Sequence, residues 1–153
     1  MRYRFFVVIG GCLAACLLAS CANTASTTPV NGCTLSGMRT STTSFWQGVL
    51  AYESGKVSTA PSWVKADIKN QLSIDKAHGL VLDNTFAGIA KFSAEVKASR
   101  GVATFVIKMH ESQTNSYKQT QSTTALESGS LFFSCKSNEW QATEWQLSGN
   151  PVG

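Results

Sequence analysis

The chain has 153 residues, 43% of them hydrophobic and 14% charged, with 13 basic against 9 acidic side chains and a formal net charge of +4. That length suits one domain with a real core rather than two. Charge is close to balance, with no basic block and no interleaving of basic with aromatic residues, which argues against nucleic acid as a partner.

The chain opens on Met1-Arg2-Tyr3-Arg4 and then runs through apolar or small residues to Ala19. A short basic start ahead of a brief apolar core, followed by small residues, is the pattern of a secretory signal peptide. The apolar core is shorter than the ~20 residues that a spanning helix needs. The run stops at Leu18-Ala19-Ser20-Cys21, which resembles the lipobox of bacterial lipoproteins. The resemblance implies a diacylglycerol thioether on Cys21, cleavage of residues 1–20, and a membrane anchor at the new N-terminus. Leu13-Ala14-Ala15-Cys16 fits the same box, but cutting there would leave Leu17-Leu18 on the mature chain, so Cys21 is preferred. Ala22 rather than aspartate follows the lipid site, which by the family's sorting rule implies the outer membrane. Cleavage would leave 133 residues and lower the net charge to +2.

Of the five cysteines, Cys12 and Cys16 would depart with the leader and Cys21 would be acylated. Cys33 and Cys135 remain, an even pair in an oxidising compartment, and are expected to form one disulfide. Residues 21–32 have no apolar periodicity and read as a lipid-anchored tether. The globular domain is expected over residues 33–153.

Polar residues 40–44 delay the first expected helix to Ser44, its cap. It carries Phe45, Val49 and Tyr52 on one stripe and closes at Gly55. Pro61 opens a second helix, in which Val64, Ile68 and Leu72 recur at four-residue steps up to an end near His78-Gly79. Residues 80–82 are strand or buried connector, and Asp83-Asn84 is a turn. Alternation from Ala90 to Ala98 predicts a half-buried strand, turned by Arg100-Gly101 into a partner bearing Ala103, Phe105, Ile107 and Met109. Residues 113–124 are either a solvent-facing strand or a long loop. Strands over 130–136 and 140–147, joined by Ser137-Asn138-Glu139, end the fold.

The predicted class is α+β, two N-terminal helices packed on a four- to five-stranded antiparallel sheet, stapled by the disulfide. Helices ahead of a curved sheet, with Trp140 on the last strand, resemble NTF2-like lipoprotein domains. That resemblance implies a cone in which Trp63, Phe92, Phe105 and Trp140 enclose a small ligand.

No catalytic constellation emerges, and the chain is read as a non-enzyme without cofactor or metal. Ser62-Trp63-Val64-Lys65 and Ser73-Ile74-Asp75-Lys76 spell an acylating S-x-x-K, but its companion motifs are absent. His110 and Glu111 face opposite sides of a strand, and Asp67 and Asp75 lie over two helical turns apart. The aromatic pattern says more. Trp140 and Trp145 are five apart, so an unbroken strand sends them to opposite faces, as it does Phe132 and Phe133. With Trp145 and Leu147 in the core, Trp140 and one or other of Phe132 and Phe133 would form an exposed partner surface. A bulge near Thr143 would instead put both tryptophans on one face. The expected function is a protein-binding accessory or assembly factor of the envelope, anchored through Cys21. The alternatives are an NTF2-like ligand binder and an inhibitor or immunity protein of an envelope-acting enzyme.

Overall fold

The computed structural model describes residues 33–148. The leader, the lipobox with Cys21 and Cys16, and the whole tether of residues 21–32 lie outside them, as do residues 149–153. Helix α1 spans Leu35–Glu53 and α2 spans Ser62–Ala77; the strands are β1 Val81–Leu82, β2 Thr85–Lys97, β3 Arg100–Thr114, β4 Thr120–Lys136 and β5 Glu139–Leu147. All pairings are antiparallel, in the order β1-β3-β4-β5, with β2 beside β3 on the flank that it shares with β1. Two helices therefore pack on one face of a curled sheet, and a Cys33–Cys135 disulfide closes the domain with Cα atoms 6.0 Å apart. Fold class and disulfide agree with the sequence prediction.

α1 begins at Leu35, not at Ser44. The polar residues that hid its first half are accommodated by their own backbone: the hydroxyls of Thr40, Thr42 and Thr43 donate to the carbonyls of Ser36, Met38 and Arg39, one turn back. Thr42 thereby lies fully buried in line with Met38, Trp46 and Val49. Thr34 Oγ1 accepts from the Gly37 N–H at 2.9 Å and caps the helix. Thr34→Ala is expected to cost about 1 kcal/mol in a denaturant melt, the usual worth of an N-cap, and Thr34→Ser close to nothing.

α2 stops where expected, at Ala77, with Gly79 taking the left-handed φ of +68° that ends the turn. Only Val64 of α2 is buried; Trp63 and Ile68 are half-covered. It stands at the margin of the sheet rather than flat on it.

β2 starts earlier than the alternation at Ala90 predicts. Its register to β3 slips between Phe86 and Gly88 and again between Ile89 and Lys91, so Ala87 and Ala90 are extra residues. These bulges bring Phe86, Ile89 and Phe92, spaced by three, onto one face. The β2–β3 turn is Ala98-Ser99, with Ala98 at φ +54°, and Arg100-Gly101 belongs to β3. Gly101 is small for packing and not for turning, because a Cβ there would collide with the end of Met38. Of residues 113–124, 113–114 and 120–124 take the strand alternative and 115–119 turn between them, at the tip of the long β3–β4 hairpin. Asn115 Oδ1 ties that tip by accepting from the Tyr117 and Gln119 N–H groups. Ser137 and Asn138, both at positive φ, make the predicted β4–β5 turn.

Candidate functional site

β5 carries the element that decides which side chains are available. Trp140 pairs with Cys135 and Ala142 with Phe133, but the next pair is Glu144 with Phe132, so Thr143 is a bulge. Its hydroxyl donates to the Phe132 carbonyl at 3.2 Å. Trp140, Ala142, Trp145 and Leu147 consequently share the helix-covered face. The assignment of Trp140 to an open face is thus corrected: it is 6% exposed, its indole Nε1 donates to the Thr34 carbonyl at 2.8 Å, and its ring meets Phe133 edge-on. Phe133, at 3% exposed, belongs to the same core. Of the three residues proposed for a partner surface, Phe132 alone lies on the outer face, half-buried between Val102 and Glu144.

Trp145 joins the core with Leu147 as expected, in a cluster with Phe45, Trp46 and Trp63 whose ring centroids lie 5.7 to 6.2 Å apart. The predicted ligand cone does not form. Trp63 belongs to that cluster, Phe105 is fully buried under Trp46, Phe92 lies beneath the Arg39 guanidinium, and Trp140 sits at the far end beside Thr34.

A different concavity opens beyond the cluster. It is a cleft of about 640 Å³ between α2, the end of α1 and the inner face of β3–β5. Trp46, Trp145 and Leu147 close its inner end; Ile68 and Leu72 of α2 form one wall, and Met109 is part of the floor. A smaller recess of about 380 Å³ continues it, sharing Leu82, Glu111 and Gln113 and reaching Gln121 and Thr123 of β4. The cleft exists because β3 and β4 run on past the helices, whereas α2 stands at the margin.

Five of the nine acidic residues line it: Glu53, Asp67, Asp75, Glu111 and Glu127. Asn84 Nδ2 donates to Glu53 at 3.1 Å, and Gln71 Nε2 to Asp75 at 3.0 Å. Among the described residues no Lys, Arg or His lines either concavity. The β2–β3 register sends Lys91, Lys97, Arg100 and Lys108 to the outer face instead. Sequence reasoning saw Asp67 and Asp75 as a pair too far apart to act. It missed the carboxylates of α1, β3 and β4 that join them, because no local spacing signals that convergence.

The remaining sequence candidates stay apart. Lys65 Nζ donates to the Ser58 carbonyl and lies over the Tyr52 ring, and Ser73 donates to the Lys69 carbonyl, so neither S-x-x-K pair is made. His110 shares a hydrogen bond with Thr124 on the outer face, and His78 lies against the Ile74 carbonyl. Among the described residues no three His, Cys, Asp or Glu side chains gather to hold a metal, and no helix is long and apolar enough to cross a membrane.

Fold and cleft define a two-helix, curled-sheet α+β domain with an acidic groove. No protein-family model and no curated relative matches the sequence. A solved structure with a similar course is the intermembrane space region of the chloroplast protein ARC6, at 11% identity and a TM-score of 0.49, covering 68% of this chain and 88% of that one.

Proposed function

We propose that this chain is a non-catalytic lipoprotein of the bacterial outer membrane, processed at Cys21, whose domain serves as an accessory or assembly factor by gripping another envelope protein in the helix–sheet cleft. The observation that carries this reading is the cleft itself, in which the apolar Ile68, Leu72 and Leu147 lie open beside carboxylates and amides. The disulfide agrees with maturation in an oxidising compartment. The same cleft volume falls within the usual range for small molecules, which keeps the ligand-binding alternative in view.

Two measurements test the proposal. Cys21→Ser is expected to abolish palmitate labelling and release the protein from membranes, whereas Cys16→Ser should leave both intact; the opposite result moves the anchor to Cys16. A photo-crosslinking residue at Leu72, on the cleft wall, should trap an envelope protein in living cells. The same residue at Thr104, on the outer face, should not. Adducts from Thr104 alone would place the partner on the other side of the sheet.

A further inference from the structure

Three parts of the fold meet at the pole where the chain enters the domain. Cys33 is bonded to Cys135, the Cys135 N–H donates to the Ser99 carbonyl at 2.7 Å, and Trp140 Nε1 donates to the Thr34 carbonyl. The start of α1, the β2–β3 turn and the β4–β5 turn are thereby tied into one surface.

That surface is positively charged. Lys97 and Arg100 stand directly opposite each other at the mouth of the β2–β3 turn. Arg100 pairs on its other side with Ser134, which shares a face of β4 with Lys136. All three cations are exposed, and like charges directly opposite are unfavourable in a sheet. Nearby carboxylates do not take them up. Glu95 lies opposite Val102 and Glu139 opposite Lys136, yet among the described residues neither forms an ion pair with a cation. Arg39, exposed over the Phe92 ring, adds a fourth positive charge on the flank. Leu35, at the start of α1, leaves 55% of its surface in solvent. Helical side chains lean towards the N-terminus, which for Leu35 is this pole. Exposed cations around an exposed apolar side chain suit a layer of anionic headgroups.

Residues 21–32 join the expected lipid site to this pole. Twelve residues reach at most about 40 Å, so the anchor holds the pole within that distance of the bilayer. The β3–β4 tip lies roughly 45 Å away along β3. A weak contact between free partners becomes a frequent one when a short chain joins them.

We infer that the Cys33 pole docks on the anionic headgroups of the membrane that holds the anchor, through Lys97, Arg100, Lys136 and Leu35. This rests on the anchor at Cys21. The docked domain stands with the helix–sheet cleft, lined by residues 109–113 of β3, turned away from the bilayer.

The test uses the full chain, expressed in a bacterium that processes lipoproteins and reconstituted from detergent into vesicles. The vesicles are phosphatidylcholine with or without phosphatidylglycerol, each carrying a headgroup nitroxide that quenches a fluorescent residue placed at Ser99 or at Tyr117. Quenching at Ser99 should exceed that at Tyr117, need phosphatidylglycerol, and fall as salt rises. Lys97→Gln, Arg100→Gln and Lys136→Gln together should lower the docked-to-undocked ratio about tenfold or more. That variant should melt no lower than wild type, since the Lys97–Arg100 repulsion goes with it; a lower midpoint means that the cations serve the fold. Quenching at Ser99 that ignores lipid charge, salt and the three substitutions overturns the headgroup contact. Stronger quenching at Tyr117 overturns the orientation. A photo-crosslinker at Ser99 that traps protein or glycan in cells, and no lipid, overturns the membrane as occupant. Flotation with both vesicles but no excess quenching at Ser99 overturns docking and leaves the anchor standing. Failure to float with either overturns the anchor, and the docking with it.

Discussion

Trp140→Ala is expected to lower the unfolding free energy by about 3–5 kcal/mol, the usual cost of truncating a buried aromatic side chain. The ring is closed in by Phe133 and by the start of α1, where a Cβ on Gly37 would lie 3.7 Å from it. Its removal also takes away one of the two donors to the Thr34 carbonyl, the other being the Met38 N–H. Urea titration measures the loss, and Phe132→Ala is the comparison that matters. Phe132 lies across from Val102 on the outer face and is half-exposed, so its truncation should cost clearly less. Near-equal costs would mean that the bulge at Thr143 does not set the facing of β5.

Breaking the disulfide should have an effect of the same order. The bond joins residues 102 apart in sequence, and a loop of that length is worth up to ~4.7 kcal/mol in the chain-entropy model, with measured losses typically ~2–5 kcal/mol. Cys33→Ala with Cys135→Ala should therefore lower the thermal midpoint markedly, and reduction of the wild-type protein should reproduce the shift. Cys33 is 2% exposed, so reductant should act slowly unless denaturant is present. Rapid alkylation of both thiols in the native, unreduced protein would show that the bond is not made.

Where the chain has a clean period, its fold is legible. The alternation of Ala103, Phe105, Ile107 and Met109 and the four-residue steps of Val64, Ile68 and Leu72 each mark one face of one element, and both elements stand as predicted. Misreadings fall where a local device overrides the period. Threonines that bond to their own helix masked the first half of α1. Single extra residues at Ala87, Ala90 and Thr143 reset the facing of β2 and β5, and no pattern in the neighbouring side chains announces them. The sequence leaves the Thr143 bulge open as an alternative, because parity alone cannot tell a straight strand from one that gains a residue.

The acidic groove was illegible for another reason. Its carboxylates come from α1, α2, β3 and β4, and only the sheet register and the placement of α2 bring them together. Sequence spacing carries information within an element. It carries little about which elements meet.

The staple at Cys33 also determines how the domain bears load. Tension arriving through the chain ahead of Cys33 has two routes, along α1 or across the sulfur bridge, and the covalent one is the stiffer. It delivers the force to Cys135 near the end of β4, a strand held on both sides by β3 and β5 at that level. The groove's outer end at Gln121 lies at the opposite pole of the same strand, fourteen residues and roughly 45 Å away along its contour. A pull between that pole and the entry point is therefore carried lengthwise by the backbone of β4, which β3 flanks from Thr120 to Ser134 and β5 from Gly129 to Lys136. α1 and its cap hang beside that line and need not unwind when it is drawn taut.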